Sequence, residues 1–530
     1  MTSRKFLQKR NKRNETRSKM FHFHDVNPTI QNIIQYFEKL FRNETNPTRQ
    51  SLIFMALSML YKDACASVRG MFKSYVKQFS SNQLTSLYYT LNKSKVFTQE
   101  WRLFLLEIIL SSVEVIKYLP ILFIFDDSLV EKKGEHFELR EKLYDHTAKN
   151  GSNYLYGHCF VSIVIGIPIM FQGKPVYLRV PLLHKMWDKD SGVSKLQMAK
   201  EMTLELDNFL GFSFETAVLC DSWYPRGEVL ELHTVHGIPF ICAARGDTAL
   251  YEIPDAPNTG QRGRPRIRGE KLERNREEAF EFVEIEGYTF LIGHKKVMTD
   301  IFGKTVCFAY LTKPIPKDDA KESEASDSKA GQAQKVAADV KSDEACSQSE
   351  SKSSDQVQQE VEGQEQSAQK PKSKKDSVNL FLATTDLDLS DFPTEMIESE
   401  EMRALVAANH EYLHFAMYKF RWAIEQCYYQ LKVFWNFGGY RLRSRVGIEN
   451  LINLQNIVYA LMSVLPYINK EFEVLVNLSP QERRNKIGEF LRKVEFMGRF
   501  VQHIETTENS AALRAVCDYY MENKVKLLDA

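Results

Sequence analysis

Leu119-Pro-Ile-Leu-Phe-Ile-Phe-Asp126-Asp127-Ser128 is where the chain changes texture. A continuous apolar run of this length predicts a strand buried on both faces, ending at the two carboxylates. Working outward, His158 to Phe171 and Pro175 to Leu183 flank Gln172-Gly173-Lys174, which predicts a hairpin of two apolar strands. Lys195 to Leu210 carries Leu196, Met198-Ala199, Met202 and Leu206 on one side, the pattern of an amphipathic helix. Thr216 to Cys220 is a short strand ending in Asp221, Pro225 to His233 can form a helix, and Ile238 to Ala243 a further strand. The order is that of a mixed α/β layer, with acidic residues at strand ends, where ligands of open α/β sheets bind.

On either side the pattern is helical. Ile33-Ile34, Phe37 and Leu40-Phe41 repeat at three-to-four spacing, as do Leu52 to Tyr61, Val76 to Leu91 and Trp101 to Ile116. Asn27-Pro28 and Asn46-Pro47 mark helix starts. Beyond the core, Phe282-Val283, Tyr288 to Ile292 and Val306 to Leu311 are strand candidates. Glu398 to Trp435 reads as one long helix, followed by helices over Ile448 to Ile468 and Gln481 to Thr506. The chain therefore divides into a basic arm at 1–25, a helical region at 26–117 that suits a DNA-binding domain or equally a helical bundle with no ligand, the first part of an α/β core at 118–245 and a strand-rich insertion at 246–316. A low-complexity insert at 317–377, a helix completing the core at 378–445 and a helical C-terminal region at 446–530, the candidate dimer contact, follow.

The formal charge of +1 over 530 residues conceals large local imbalances. Residues 1–20 hold eight Lys/Arg against one Glu and no apolar core, so they do not read as a secretory signal. Residues 317–377 contain no Phe, Trp, Tyr, Leu, Ile or Met and carry a net charge of −4, which predicts disorder. Eight scattered cysteines with no Cys-x-x-Cys pair point to a reducing compartment and give no zinc spacing. No apolar run reaches the roughly 20 residues of a membrane span, so a soluble protein is expected.

Three acidic positions are candidates for one site: Asp126 or Asp127, Asp221, and Glu425 on the long helix. Converging carboxylates repel one another unless a divalent cation lies between them, although a single Asp at a strand end is usually a turn or helix cap. Tyr418, Arg421, Glu425 and Lys432 stand at offsets of 0, 3, 7 and 14, near one helical stripe. Two cations, a carboxylate and a phenol make a poor core face and a good face for phosphate and metal.

Here the chain resembles the DDE-class insertion-sequence transposases of the insertion-sequence-four group. Tyr418-x2-Arg421-x3-Glu425-x6-Lys432 resembles that group's signature. Phe125-Asp126-Asp127-Ser128 is similar to its first-strand motif, and Leu219-Cys220-Asp221-Ser222-Trp223-Tyr224 to its second. The resemblance implies a ribonuclease H-like mixed-sheet core interrupted by an insertion. It also implies a metal set of Asp126 (with Asp127 the alternative), Asp221 and Glu425 holding two Mg²⁺ ions, with Mn²⁺ able to substitute. It favours Asp126, because the group's pattern leaves one residue between Asp and Ser/Thr. Tyr418, Arg421 and Lys432 would contact DNA near the cleaved end. The implied activity is metal-dependent cleavage of transposon ends bearing terminal inverted repeats, with transfer of the 3′-hydroxyl strands into target DNA. The alternatives are a transposase-derived DNA-binding protein that does not cut, or another ribonuclease H-like nuclease.

Gln261-Arg262-Gly263-Arg264-Pro265-Arg266-Ile267-Arg268 sets arginines at alternate positions. They suit either a narrow minor groove or a basic loop lying along phosphates. Arg441, Arg443 and Arg445 would extend the basic surface. Trp422 and Trp435 could stack on bases, though such aromatics more often pack in the core. His233 and His236 lack a third ligand and read as helix-surface residues. Expected partners are double-stranded DNA, both transposon ends and target, and a second copy in a paired-end complex, with no membrane. A bacterial, cytoplasmic, nucleoid-associated location is expected.

Overall fold

The computed structural model describes residues 27–61, 67–80, 82–93, 100–145, 153–254, 267–272, 276–315 and 378–504, with scattered positions between 511 and 519. The expected arm at 1–25, the insert at 317–377 and Arg262, Arg264 and Arg266 lie outside the described residues.

The N-terminal segment forms α1 (Pro28–Leu40), α2 (Asn46–Tyr61), α3 (Leu84–Lys93) and α4 (Glu100–Ser112). Asn27 caps α1 by accepting from the Ile30 amide at 3.1 Å, with Pro28 at the first helical position. Every residue of α2 from Ser51 to Leu60 is buried, so beyond its exposed first turn this helix has no solvent face and serves as the axis of a helical body.

The sheet runs through β1 (Glu114–Val115), β2 (Ile121–Glu131), β3 (Glu141–Tyr144), β4 (Tyr154–Phe171) and β5 (Lys174–Met186). After α5 (Lys195–Leu210) come β6 (Thr216–Cys220), β7 (Phe240–Ala244), β8 (Leu250–Tyr251), β9 (Glu281–Glu284), β10 (Phe290–Thr299), β11 (Val306–Pro314) and β12 (Asn379–Thr384). β5, β4 and β2 are antiparallel neighbours, and β6 and β7 follow β2 in parallel. That is the ribonuclease H-like mixed sheet. β12, β11 and β10 then continue it antiparallel beyond β7, so the strands of the 246–316 segment extend the core sheet.

β2 does not stop at the carboxylates. It pairs with β4 as far as Glu131↔Gly157, which places Asp126 and Asp127 inside the strand. Beyond Asp127 the side chains alternate between more and less buried, a half-buried pattern that a search for apolar runs does not register. The 225–233 segment is likewise less regular than expected, a 3₁₀ turn at Gly227–Leu230 and one α-turn at Glu231–Thr234.

The expected single helix from 398 to 435 is broken into α6 (Glu400–Ala408), α7 (Leu413–Tyr418) and α8 (Trp422–Phe434), joined by 3₁₀ turns at His410–Tyr412 and Lys419–Arg421. The Asn409 side chain accepts the Glu411 amide, an interaction that competes with helix continuation. α9 (Arg445–Ile468) and α10 (Pro480–Ile504) follow. α9 is long and apolar enough to cross a membrane, but 94% of its most apolar window is buried inside the fold, so it is a core helix. It packs on β5 and on α2, α3 and α4, joining the sheet to the helical body. The N-terminal and C-terminal helices, expected as separate regions, thus pack together; Asn450 donates to the Leu91 carbonyl at 2.6 Å across their contact.

Candidate active site

Alternation along β2 sends its two carboxylates to opposite faces. On one face, α8 and the turn before it lie over Asp126. Arg421 Nη1 stands 3.9 Å from Asp126 and 3.4 Å from Glu425, and the Tyr428 hydroxyl donates to the Asp126 carbonyl at 2.9 Å. On the other face, α5 meets Asp127. Lys195 at the first turn of α5 forms an ion pair with it at 2.8 Å, and the Tyr224 hydroxyl donates to it at 3.2 Å. The Cys159 thiol is a third donor, at 3.3 Å.

Asp221 follows β6 directly, next to β2 in the parallel register, and its carboxylate accepts the Ser222 amide at 2.7 Å. Burial lowers the Arg421 pKa, but Tyr418 and then Asp221, Asp126 and Glu425 outweigh it and raise the pKa on balance. Asp126 and Glu425, from separate elements, therefore lie within ion-pair range of one arginine, and Asp221 is near enough to act on its charge. Burial, with the like charges of Asp127 and Glu425, pushes the Asp126 carboxyl up to about 7, although the Asp127 amide and Arg421 pull the other way. Among the described residues no three His, Cys, Asp or Glu side chains stand close enough together to hold a metal as they are arranged. The donor set nonetheless fits a hard cation, being all carboxylate and crowded enough to hold one member partly protonated. Arg421 Nε is buried without a hydrogen-bond partner among the described residues, a donor left over for an anionic ligand.

The family model for the transposase DDE domain matches residues 191–461, just over half of the chain, and that for the DDE superfamily endonucleases matches 37–283. The chain belongs to the DDE transposases. Among solved structures, a piggyBac transposase synaptic complex with hairpin DNA covers 96% of this chain and 85% of its own at 10% sequence identity. Its TM-score is 0.33, and nothing below depends on that likeness. No curated protein sequence matches. Enzymes of this family generally act with divalent metal ions.

The remaining residues singled out from the sequence are distributed as follows. Tyr418 ends α7 and packs its ring 5.0 Å from Phe381, half-buried at the edge of the site. Because the helix is interrupted after it, Tyr418 does not share one regular stripe with Glu425 and Lys432. Lys432 is exposed on α8, its ammonium 5.8 Å from the Tyr428 ring. Arg441 and Arg443 are exposed, whereas Arg445 is tied down by Asp188 at 3.2 Å and Glu449 at 3.7 Å and does not extend a free basic surface. Arg268 pairs with Asp300. Trp435 is buried against Tyr459 and Arg484, a core residue, while Trp422 is exposed. His233, expected on a helix surface, is buried: its ring bonds to the Ile238 carbonyl and Thr305 hydroxyl, because the short turn carrying it folds inward. His236 is exposed.

Lys195 and Tyr428 were not visible as site residues from the sequence. Lys195 lies 68 positions from Asp127, at the start of an ordinary amphipathic helix, and nothing local marks it. Tyr224 was in view, as the last residue of the Asp-Ser-Trp-Tyr string.

Proposed function

We propose that this transposase cuts double-stranded DNA at its element's terminal inverted repeats and joins the freed 3′-hydroxyl ends to target DNA. Asp126, Asp221 and Glu425 would hold the divalent cation, two Mg²⁺ ions in the finer reading. Bound there, the cations would activate the attacking oxygen and stabilise the leaving one. The observation that carries the assignment is the convergence of these acids on the Arg421 guanidinium from β2, the end of β6 and α8.

The chain's own groups have separable tasks. Arg421, with its unused Nε, and Lys432 hold the phosphate beside the scissile bond, and Tyr418 lines the approach. Asp127 is a positioning residue: locked to Lys195 and Tyr224, it anchors β2 so that Asp126 faces α8. The insertion-sequence-four assignment is supported by the Tyr418, Arg421, Glu425 and Lys432 spacing. A second copy would hold the paired end.

The test is Mg²⁺-dependent cleavage of the element's own terminal repeats by wild type and Glu425→Gln. Cleavage should fall by a factor on the order of 10³ or more while DNA binding persists. Equal cutting by the variant would sink the assignment. A wild type that binds but never cuts would instead favour a DNA-binding derivative.

A further inference from the structure

The structure assigns a second DNA-contacting surface: the β3–β4 hairpin, whose tyrosines and cations would grip the duplex about six to eight base pairs from the cut. This rests on the cleavage reading above for the position of the scissile phosphate.

Tyr144, Tyr154 and Tyr156 are 48%, 50% and 50% exposed, an unusual concentration of large aromatics on one sheet face. Register places them together, because Tyr144 opposes Tyr154 and Lys142 opposes Tyr156. The two rings of the first pair lie 5.4 Å apart, edge to face. The Lys142 ammonium sits 4.7 Å from the Tyr154 ring and the Arg140 guanidinium 4.6 Å from Tyr156. Tyrosine and arginine held this way present both hydroxyl and cationic donors, the set that binds phosphate oxygens.

The same register ties this face to the site. Asp126 opposes Ser162, and alternate residues back along β4 reach Phe160, His158, Tyr156 and Tyr154 on the same face. On β2 that face continues through Ser128 and Val130 to Lys132, whose amide bonds to the Tyr156 carbonyl. Apart from Asp126, none of these positions is acidic. Glu131 and Glu141 fall on the opposite face, and the nearby Glu138 carboxylate is turned to the Arg445 amide at 2.7 Å. Exposed Arg443 adds a cation at the root of the hairpin, its carbonyl accepting from the Glu138 amide at 2.9 Å. Asp145 beside Tyr144 is near enough to act on the Lys432 charge, but Arg140, Lys142 and Arg443 outnumber it, so the face complements a polyanion.

Distance gives the position on the DNA. Tyr156 and Tyr154 lie six and eight residues from Ser162, about 20 to 26 Å at roughly 3.3 Å per strand residue. Duplex DNA advances about 3.4 Å per base pair, hence the six to eight base pairs.

The experiment measures equilibrium binding, without divalent cation, to a labelled duplex carrying one terminal repeat, across a salt series. Lys142→Gln should weaken binding about tenfold near 0.1 M salt and lower the salt slope by about one. Arg443→Gln should act in the same direction and Lys142→Arg should restore affinity. Lys174→Gln, exposed at the far end of the β4–β5 hairpin, should change nothing. Shortening the duplex stepwise from each side should erase the Lys142→Gln defect once fewer than about six base pairs remain on the contacted side. Equal affinity and salt slope for Lys142→Gln and wild type would overturn the proposal, as would a defect that persists on the shortest duplexes. If wild type binds but does not cut, the cleavage reading fails. If it cuts while Lys142→Gln binds as tightly as wild type, this assignment fails alone.

Discussion

Asp126 and Asp127 are adjacent in the chain and face opposite sides of the sheet, and the difference is measurable. In cation-free protein the folded state holds Asp126 at about 7, far above the 3.8 of a free carboxyl. Folding therefore favours its protonated form: that contribution is fully present below pH 4 and is lost as pH rises through about 7. Asp126→Asn should leave stability unchanged at pH 4 and raise it by a few kcal/mol at pH 8, while abolishing cleavage. Asp127→Asn strips the partly buried Lys195 of its counterion and should cost about 1–3 kcal/mol at pH 8. Thermal melts of both variants at the two pH values decide this; a stability loss for Asp126→Asn at pH 8 would refute the assignment of the two faces. Strand alternation made the opposition legible from the sequence. Which face carried α8 and which carried Lys195 was not, since both partners are far away in the chain.

At the scale of an element, α9 contains Pro466, which has no amide to donate to the Met462 carbonyl one turn back. Arg483 from α10 repairs the gap. Its Nη1 donates to Met462 at 3.0 Å and to Ser463 at 2.8 Å, while Nε and Nη2 reach Leu475 and Val476 at 3.0 and 2.8 Å. Arg483→Met leaves these buried carbonyls without those donors and should cost about 3–5 kcal/mol by denaturant unfolding. A loss under 1 kcal/mol would mean that other groups satisfy these carbonyls. The apolar spacing of Ile448 to Ile468 predicted the helix itself; the remedy for its proline, contributed by a later helix, was not legible. The same limit explains the 398–435 segment. Its apolar spacing reads as one helix, and the breaks at Asn409 and after Tyr418 come from side-chain capping and from packing against β12.

For the whole molecule, the long insert is the informative test. Thr312 on β11 opposes Asn379 on β12, so the chain leaves and re-enters the sheet at neighbouring positions. Replacing residues 316–377 with a short Gly/Ser linker should preserve the fold and add up to about 2 kcal/mol of stability from reduced loop closure. Circular dichroism and a thermal melt suffice to check it. Loss of the cooperative transition would show that the insert contributes to the folded body.

Local pattern alone determined the central strands, the hairpin of β4 and β5, most helices and the candidate acids, because burial imposes periods of 2 and 3.6 directly on residue type. It also carried the family resemblance, through short motifs in order. Tertiary structure alone decided that the late strands extend the core sheet and that the terminal helical regions pack together. It also decided that Asp126, Asp221 and Glu425 gather around Arg421. Each of these depends on pairing between residues far apart in the chain, where no local period constrains the partner.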